Sequence, residues 1–91
     1  MPKLAEQEVR DRIKTLKSWT IENGELHKTY SFKDFRGSMA FATRVALIAE
    51  SMDHHPDIDI RYSKVTLNLM THSAGGLTES DFKLAGEIDA V

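Results

Sequence analysis

The chain carries four histidines and no cysteine, and three of the histidines, His54, His55 and His72, flank one apolar, alternating segment. The absence of thiols removes disulfide frameworks, thiolate nucleophiles and thiolate metal sites together, and it fits a reducing compartment. No Gly-x-Ser-x-Gly elbow is present to display a nucleophilic serine. Imidazole has an unperturbed pKa of about 6.5, so a cluster of imidazoles is suited to moving protons near neutrality. Zinc binding is the competing chemistry, with three imidazoles and Asp53 or Glu50 as the ligand set. Adjacent residues of an extended chain point to opposite faces, however, so His54 and His55 are poorly arranged to share one ion, and no metal site is expected. A single histidine near a helix C-terminus is sufficiently explained by the helix dipole. Three at one edge, drawn from two segments, point instead to a functional site. His27 stands apart and is read as structural.

The elements that must position these residues follow from hydrophobic periodicity. Ala5, Val9, Ile13 and Leu16 recur at helical spacing and predict an amphipathic helix from Leu4 to about Lys17. Trp19 to Glu22 and Glu25 to Phe32 alternate around Asn23-Gly24, a strong hairpin signal, with Leu26, Tyr30 and Phe32 on one face. Phe35, Met39, Ala42, Val45, Ala46, Ala49 and Met52 trace a helical stripe from Asp34 to Met52. Phe41, Leu47 and Ile48 widen it beyond what one sheet face needs, which predicts contact with a partner subunit on a second side.

Beyond His54-His55-Pro56 the period changes to two. Ile58, Ile60 and Tyr62 form one row, and Val65, Leu67 and Leu69 form the next. A turn at Ser63-Lys64 pairs Tyr62 with Val65, Ile60 with Leu67 and Ile58 with Leu69. Continued outward, that register sets His55 opposite His72, with Cα atoms about 4.5–5.5 Å apart; the proline after His55 favours the extended conformation this requires. Ala74-Gly75-Gly76 reads as a loop. Thr78 is a good N-cap, Asp81 stands at N3 of a capping box, and Leu77 and Phe82 form a hydrophobic staple, with Phe82, Ala85 and Ile88 as the buried stripe of a last helix. The order helix, hairpin, helix, hairpin, helix predicts an α+β fold, a four-stranded antiparallel sheet with helices on one face.

Length places all 91 residues in one domain, and a core this small makes self-association expected. No run approaches the roughly 20 apolar residues of a membrane helix, and the amino terminus lacks the pattern of a signal peptide. A soluble cytoplasmic chain is expected. Its basic residues are scattered within a formal net charge of -2, which gives no footprint for direct nucleic-acid binding.

Glu50, three residues, His54-His55-Pro56, five residues, Tyr62, nine residues, His72, eight residues, Asp81 is a spacing that spans 32 of the 91 residues. In these positions the sequence resembles the pterin-4a-carbinolamine dehydratases, and the order of helices and hairpins agrees along the whole chain. The resemblance implies dehydration of 4a-hydroxytetrahydrobiopterin, or a related carbinolamine, to the quinonoid dihydropterin in tetrahydrobiopterin recycling, without metal, nucleotide or redox cofactor. It implies that His54, His55 and His72 are catalytic; the two proton transfers of such an elimination are then expected of His54 and His72, with His55 binding or assisting.

Around them, Glu50 either orients a histidine or is a solvated last-turn residue, and Asp53 is a candidate of the same kind. Pro56 fixes the step from helix to strand, and Tyr62 is read as hairpin packing. Thr71, Ser73 and Ala74 flank His72, where their backbone groups can hydrogen-bond a flat pterin ring. Asp81 is a capping residue first and a site residue second. The resemblance also implies a homodimer or homotetramer built through sheet edges and helices. Some animal members serve in addition as dimerisation partners of a transcription factor, so a protein partner is the alternative role.

Overall fold

The computed structural model describes residues 2–91. Its elements are α1 (Glu6–Ile13), β1 (Thr20–Glu22), β2 (Glu25–Ser31), α2 (Phe35–Met52), β3 (Asp57–Arg61), β4 (Lys64–Leu69), a 3₁₀ turn (His72–Ala74) and α3 (Glu79–Asp89). The fold is α+β in the expected order, and the antiparallel sheet runs β1-β2-β4-β3.

Asn23 and Gly24 both take positive φ, 53° and 78°, as a two-residue type I′ hairpin requires. Along β4, Val65, Leu67 and Leu69 are buried while Lys64, Thr66 and Asn68 between them are not. One face of the sheet is therefore covered, by Phe41, Val45, Phe82, Leu84, Ala85 and Ile88 among others. Fully burying a side chain such as Val45 or Leu84 is worth about 1.5–3 kcal/mol, which is what holds α2 and α3 on the sheet.

Three local expectations are corrected. The first helix stops at Ile13 and not near Lys17, because the amides of Thr15 and Leu16 fold back to the carbonyls of Arg12 and Ile13 in tightened turns and Ser18 leaves with φ 66°. On α2 the buried stripe is Ser38, Phe41, Ala42, Val45 and Ala49, whereas Phe35, Met39, Ala46 and Leu47 are exposed. Those side chains belong to an outward apolar face of the single chain.

The third correction concerns the second hairpin. Its turn is Tyr62-Ser63, and the pairs are Ile60 with Val65 and Ile58 with Leu67. The apolar face is kept, since each expected partnership slips by an even number of residues and parity is preserved. Tyr62 is not in the apolar row; it sits in the turn at φ 52° and is 68% exposed.

The short first helix buries no residue completely and is tied to α3 by a bidentate Arg12–Glu79 pair. That hydrogen-bonded guanidinium holds the Glu79 carboxyl below the usual carboxylate range. A depressed folded-state pKa stabilises the fold above the ordinary carboxylate pKa, and the contribution is lost as pH falls through the depressed value. Glu79→Gln is therefore expected to speed hydrogen exchange in α1 at neutral pH, and to change it progressively less as the native protein is acidified.

Candidate active site

α2 ends abruptly. Asp53 takes φ 50° and ψ 42°, the left-handed conformation of a helix C-cap, and its amide is shared between the carbonyls of Ala49 and Glu50. Asp is among the few residues enriched there besides Gly. The chain then turns within one residue, and His54 and His55 diverge. His54 is nearly buried, with its side chain 13% exposed, and reaches toward α3; His55 is 56% exposed and faces solvent. No carboxylate bond from Asp53 to a histidine forms, so its part is to cap the helix and aim its successor.

His54 meets Asp81, whose carboxylate is wholly buried at the first turn of α3. Nε2 of His54 lies 2.5 Å from Oδ1. The second oxygen accepts the Thr78 amide at 2.9 Å and the Thr71 hydroxyl at 2.9 Å. Thr71 and Thr78 are themselves joined, Oγ1 to Oγ1 at 2.7 Å. Because the Thr71 proton is given to Asp81, the Thr78 hydroxyl donates to Thr71, and the chain of donors ends on the carboxylate. No buried side-chain polar atom among the described residues is left without a partner. Facing an acceptor-only carboxylate, the ring carries its proton on Nε2, and Nδ1 makes no hydrogen bond.

The expected His55–His72 pairing does not form. With the register moved, the ladder ends at Asp57 and Asn68, and His72 opens the 3₁₀ turn in place of ending a strand. What links the two histidine segments is Asp81: one oxygen binds His54, and the other binds Thr71, the residue before His72. His72 is exposed and its ring makes no hydrogen bond, so both ring nitrogens are open to a ligand. His55 pairs with Glu50, Nε2 to Oε2 at 2.9 Å, both exposed. Glu50 fits both of its readings, since it contacts a histidine and its side chain is 77% exposed.

Around His72, the backbone groups expected to face a flat ring are partly spent. The amides of Thr71 and Ala74 bond Gly76 and Thr71 carbonyls inside the loop, while Ser73 makes no such bond. Thr71 contributes through its side chain instead. Pro56 lies between the histidines and β3, at the expected step. His27, read as structural, bonds Asn68 on the open face of the sheet at 2.8 Å.

The family model for pterin 4 alpha carbinolamine dehydratase matches residues 2–91. The chain belongs to the pterin-4a-carbinolamine dehydratase family. Among the dehydratase family's curated members, one from Chloroflexus aurantiacus, named "Putative pterin-4-alpha-carbinolamine dehydratase", is 48% identical over 91 residues, covering 100% of this chain and 98% of its own. Another of that name, from Sulfolobus acidocaldarius, is 45% identical over 89 residues, covering 98% of both. The crystal structure of a transcriptional coactivator/pterin dehydratase from Brucella melitensis superposes with a TM-score of 0.92 at 34% identity, over 97% of this chain and 96% of that one. A pterin dehydratase-like protein identified as a RuBisCO assembly factor in the alpha-carboxysome superposes at 0.68 with 25% identity, over 81% of this chain and 88% of that one.

Proposed function

We propose that this member of the family dehydrates a pterin-4a-carbinolamine to the quinonoid dihydropterin and water, with His54 and His72 exchanging the protons. The observation that carries the reading is the Asp81 carboxylate, bonded at once to His54 and to the residue beside His72. In the elimination the C4a–O bond breaks, the neighbouring ring nitrogen forms a double bond to C4a, the leaving oxygen takes a proton, and the ring N–H gives one up. Two imidazoles account for both transfers, and no change of redox state occurs. Asp81 contributes as the third group of a triad does: it sets the tautomer of His54 and stabilises the imidazolium when Nδ1 takes a proton. An exposed imidazole free at both nitrogens suits His72 for the complementary transfer.

The test is to generate the 4a-carbinolamine chemically and follow its dehydration with and without the protein. Acceleration proportional to protein is expected; its absence would overturn the reading. His55 supports binding in this scheme, and its exposed pair with Glu50 is worth less than about 1 kcal/mol. Glu50→Gln, which removes only that pair, is expected to cost less than about tenfold in kcat/KM, and His55→Ala to raise KM more than it lowers kcat, which the same assay measures.

A second reading rests on the outward face of α2, where Phe35, Met39 and Leu47 are 50%, 41% and 68% exposed. We assign that face to self-association or to a partner protein, the latter in keeping with the coactivator and assembly-factor names of the two structural relatives. A concentration-dependent size in solution, lost in Leu47→Glu, is the expected result.

A further inference from the structure

A cavity of about 500 Å³ opens between β2, the first half of α2 and the end of α3, away from the histidines and within the ordinary size of a small-molecule site. Its wall begins with an unusual residue. Lys28 stands in register with Leu67 and between Leu26 and Tyr30, on the covered side of the sheet where an apolar residue is the rule. Its ammonium donates to Asp89 at 3.0 Å and to the Lys17 carbonyl at 2.8 Å, and lies 5.8 Å from the Trp19 ring centroid and 4.7 Å from that of Tyr30.

Asp89 is fully engaged as well. It accepts from Lys28 and the Tyr30 hydroxyl on one oxygen and from the Trp19 indole N–H on the other. Burial and that carboxylate push the Tyr30 hydroxyl far above its ordinary range, so it stays a neutral donor. This network closes the inner end of the cavity with every charge matched.

Two further cations line the same cavity, Lys17 and Arg44. Their side chains have no ion pair or hydrogen bond with any described residue, and both are exposed. The lining side chains set three cations against one carboxylate, an excess of positive side chains on a chain whose formal net charge is -2. Aromatic rings form the floor: Tyr30 and Phe41 have centroids 4.5 Å apart, and Phe32 lies 5.1 Å from Phe41. An aromatic floor under a rim of unpaired cations is complementary to a flat apolar body that carries a negative charge.

We propose that this cavity binds a small planar organic anion, an aromatic carboxylate by class, with its ring on Tyr30 and Phe41 and its carboxylate on Arg44 and Lys17. The site is separate from the histidines and does not depend on the activity proposed above. Trp19 is the only tryptophan in the chain, and its indole N–H is part of the cavity's inner network, so its single resonance reports occupancy.

The experiment is titration of the full chain with 1-naphthoate and, separately, with uncharged 1-naphthamide, followed by the Trp19 indole resonance in NMR. Saturable shifts with naphthoate and none with naphthamide are expected. Loss of a charge-assisted hydrogen bond in Arg44→Gln should weaken naphthoate at least about tenfold. Ala40→Trp, which fills the cavity from α2, should abolish the shift, and the His54→Ala/His72→Ala variant should retain it. Equal response to the two probes, or no response in the native chain, would overturn the proposal. So would naphthoate binding that survives both Arg44→Gln and Ala40→Trp, or that vanishes in the histidine variant while its fold persists.

Discussion

Replacing Asp81 with alanine is expected to lower the unfolding free energy by about 3–5 kcal/mol, the usual cost of removing one side of a buried, charge-assisted network. Three donors lose their acceptor together: the Nε2–H of His54, the Thr71 hydroxyl and the Thr78 amide. The first turn of α3 loses its capping carboxylate at the same time. For a chain of this length the total stability is roughly 5–15 kcal/mol, so the variant stands near the limit of folding, and urea denaturation at neutral pH measures the loss.

Asp81→Asn separates folding from chemistry. Its amide oxygen still accepts, but its NH₂ meets a group that used to donate. The variant should be more stable than alanine, yet hold His54 in the wrong tautomer and lose about 10²-fold or more in kcat. Near-native turnover in Asp81→Asn would remove the orienting role, and an unchanged urea midpoint in Asp81→Ala would remove the structural one.

The second large effect concerns the proton-transfer pair. His54→Ala and His72→Ala are each expected to lower kcat/KM for the carbinolamine by about 10²–10⁴-fold, the range for a general acid or base. Both groups serve one transition state, so the double variant should fall well short of the product of the single losses. The stability cost should be unequal. Exposed His72 makes no hydrogen bond, so its removal should leave the urea midpoint nearly unchanged, whereas His54→Ala strips a partner from a buried carboxylate. Full activity in His72→Ala would exclude it from the reaction.

Much of this fold was legible because local signals and burial pattern agree. Asn23-Gly24 announces its own turn through positive φ. Thr78, Asp81, Leu77 and Phe82 mark the start of α3, and all four are buried there. The second hairpin was less legible, since no Gly, Asn or Asp stands at its turn. An aromatic residue, Tyr62, adopts the left-handed conformation because pairing on both sides imposes it. The alternation fixed which face was apolar but allowed either of two turns, and the pairing of His55 with His72 depended on that choice.

The catalytic candidates themselves were readable from type and spacing; their connection was not. Asp81 was visible as a helix cap, a role its carboxylate does fill, but a local motif cannot reveal that the other oxygen reaches His54 across 27 residues. The outward side of α2 misled in another way. Phe35 and Met39 belong to an apolar stripe by periodicity, and periodicity does not say which of two apolar stripes meets the sheet. Lys28 illustrates the same limit: alternation puts it on the covered side, and only tertiary contact with Asp89, Tyr30 and Trp19 makes a charge tolerable there.

The left-handed Asp53 has a kinetic consequence. Helix and strand are joined by only Asp53 to Pro56, with Asp53 held in one narrow conformational well and Pro56 fixed in φ by its ring. No long, mobile loop carries the nearly buried His54, and the entropy of ordering it is lost on folding, before any reactant arrives. Encounter with a histidine placed by so short a joint needs no loop closure on that side of the site, so association is expected to be limited by diffusion and orientation, with a single phase in rapid mixing at every ligand concentration.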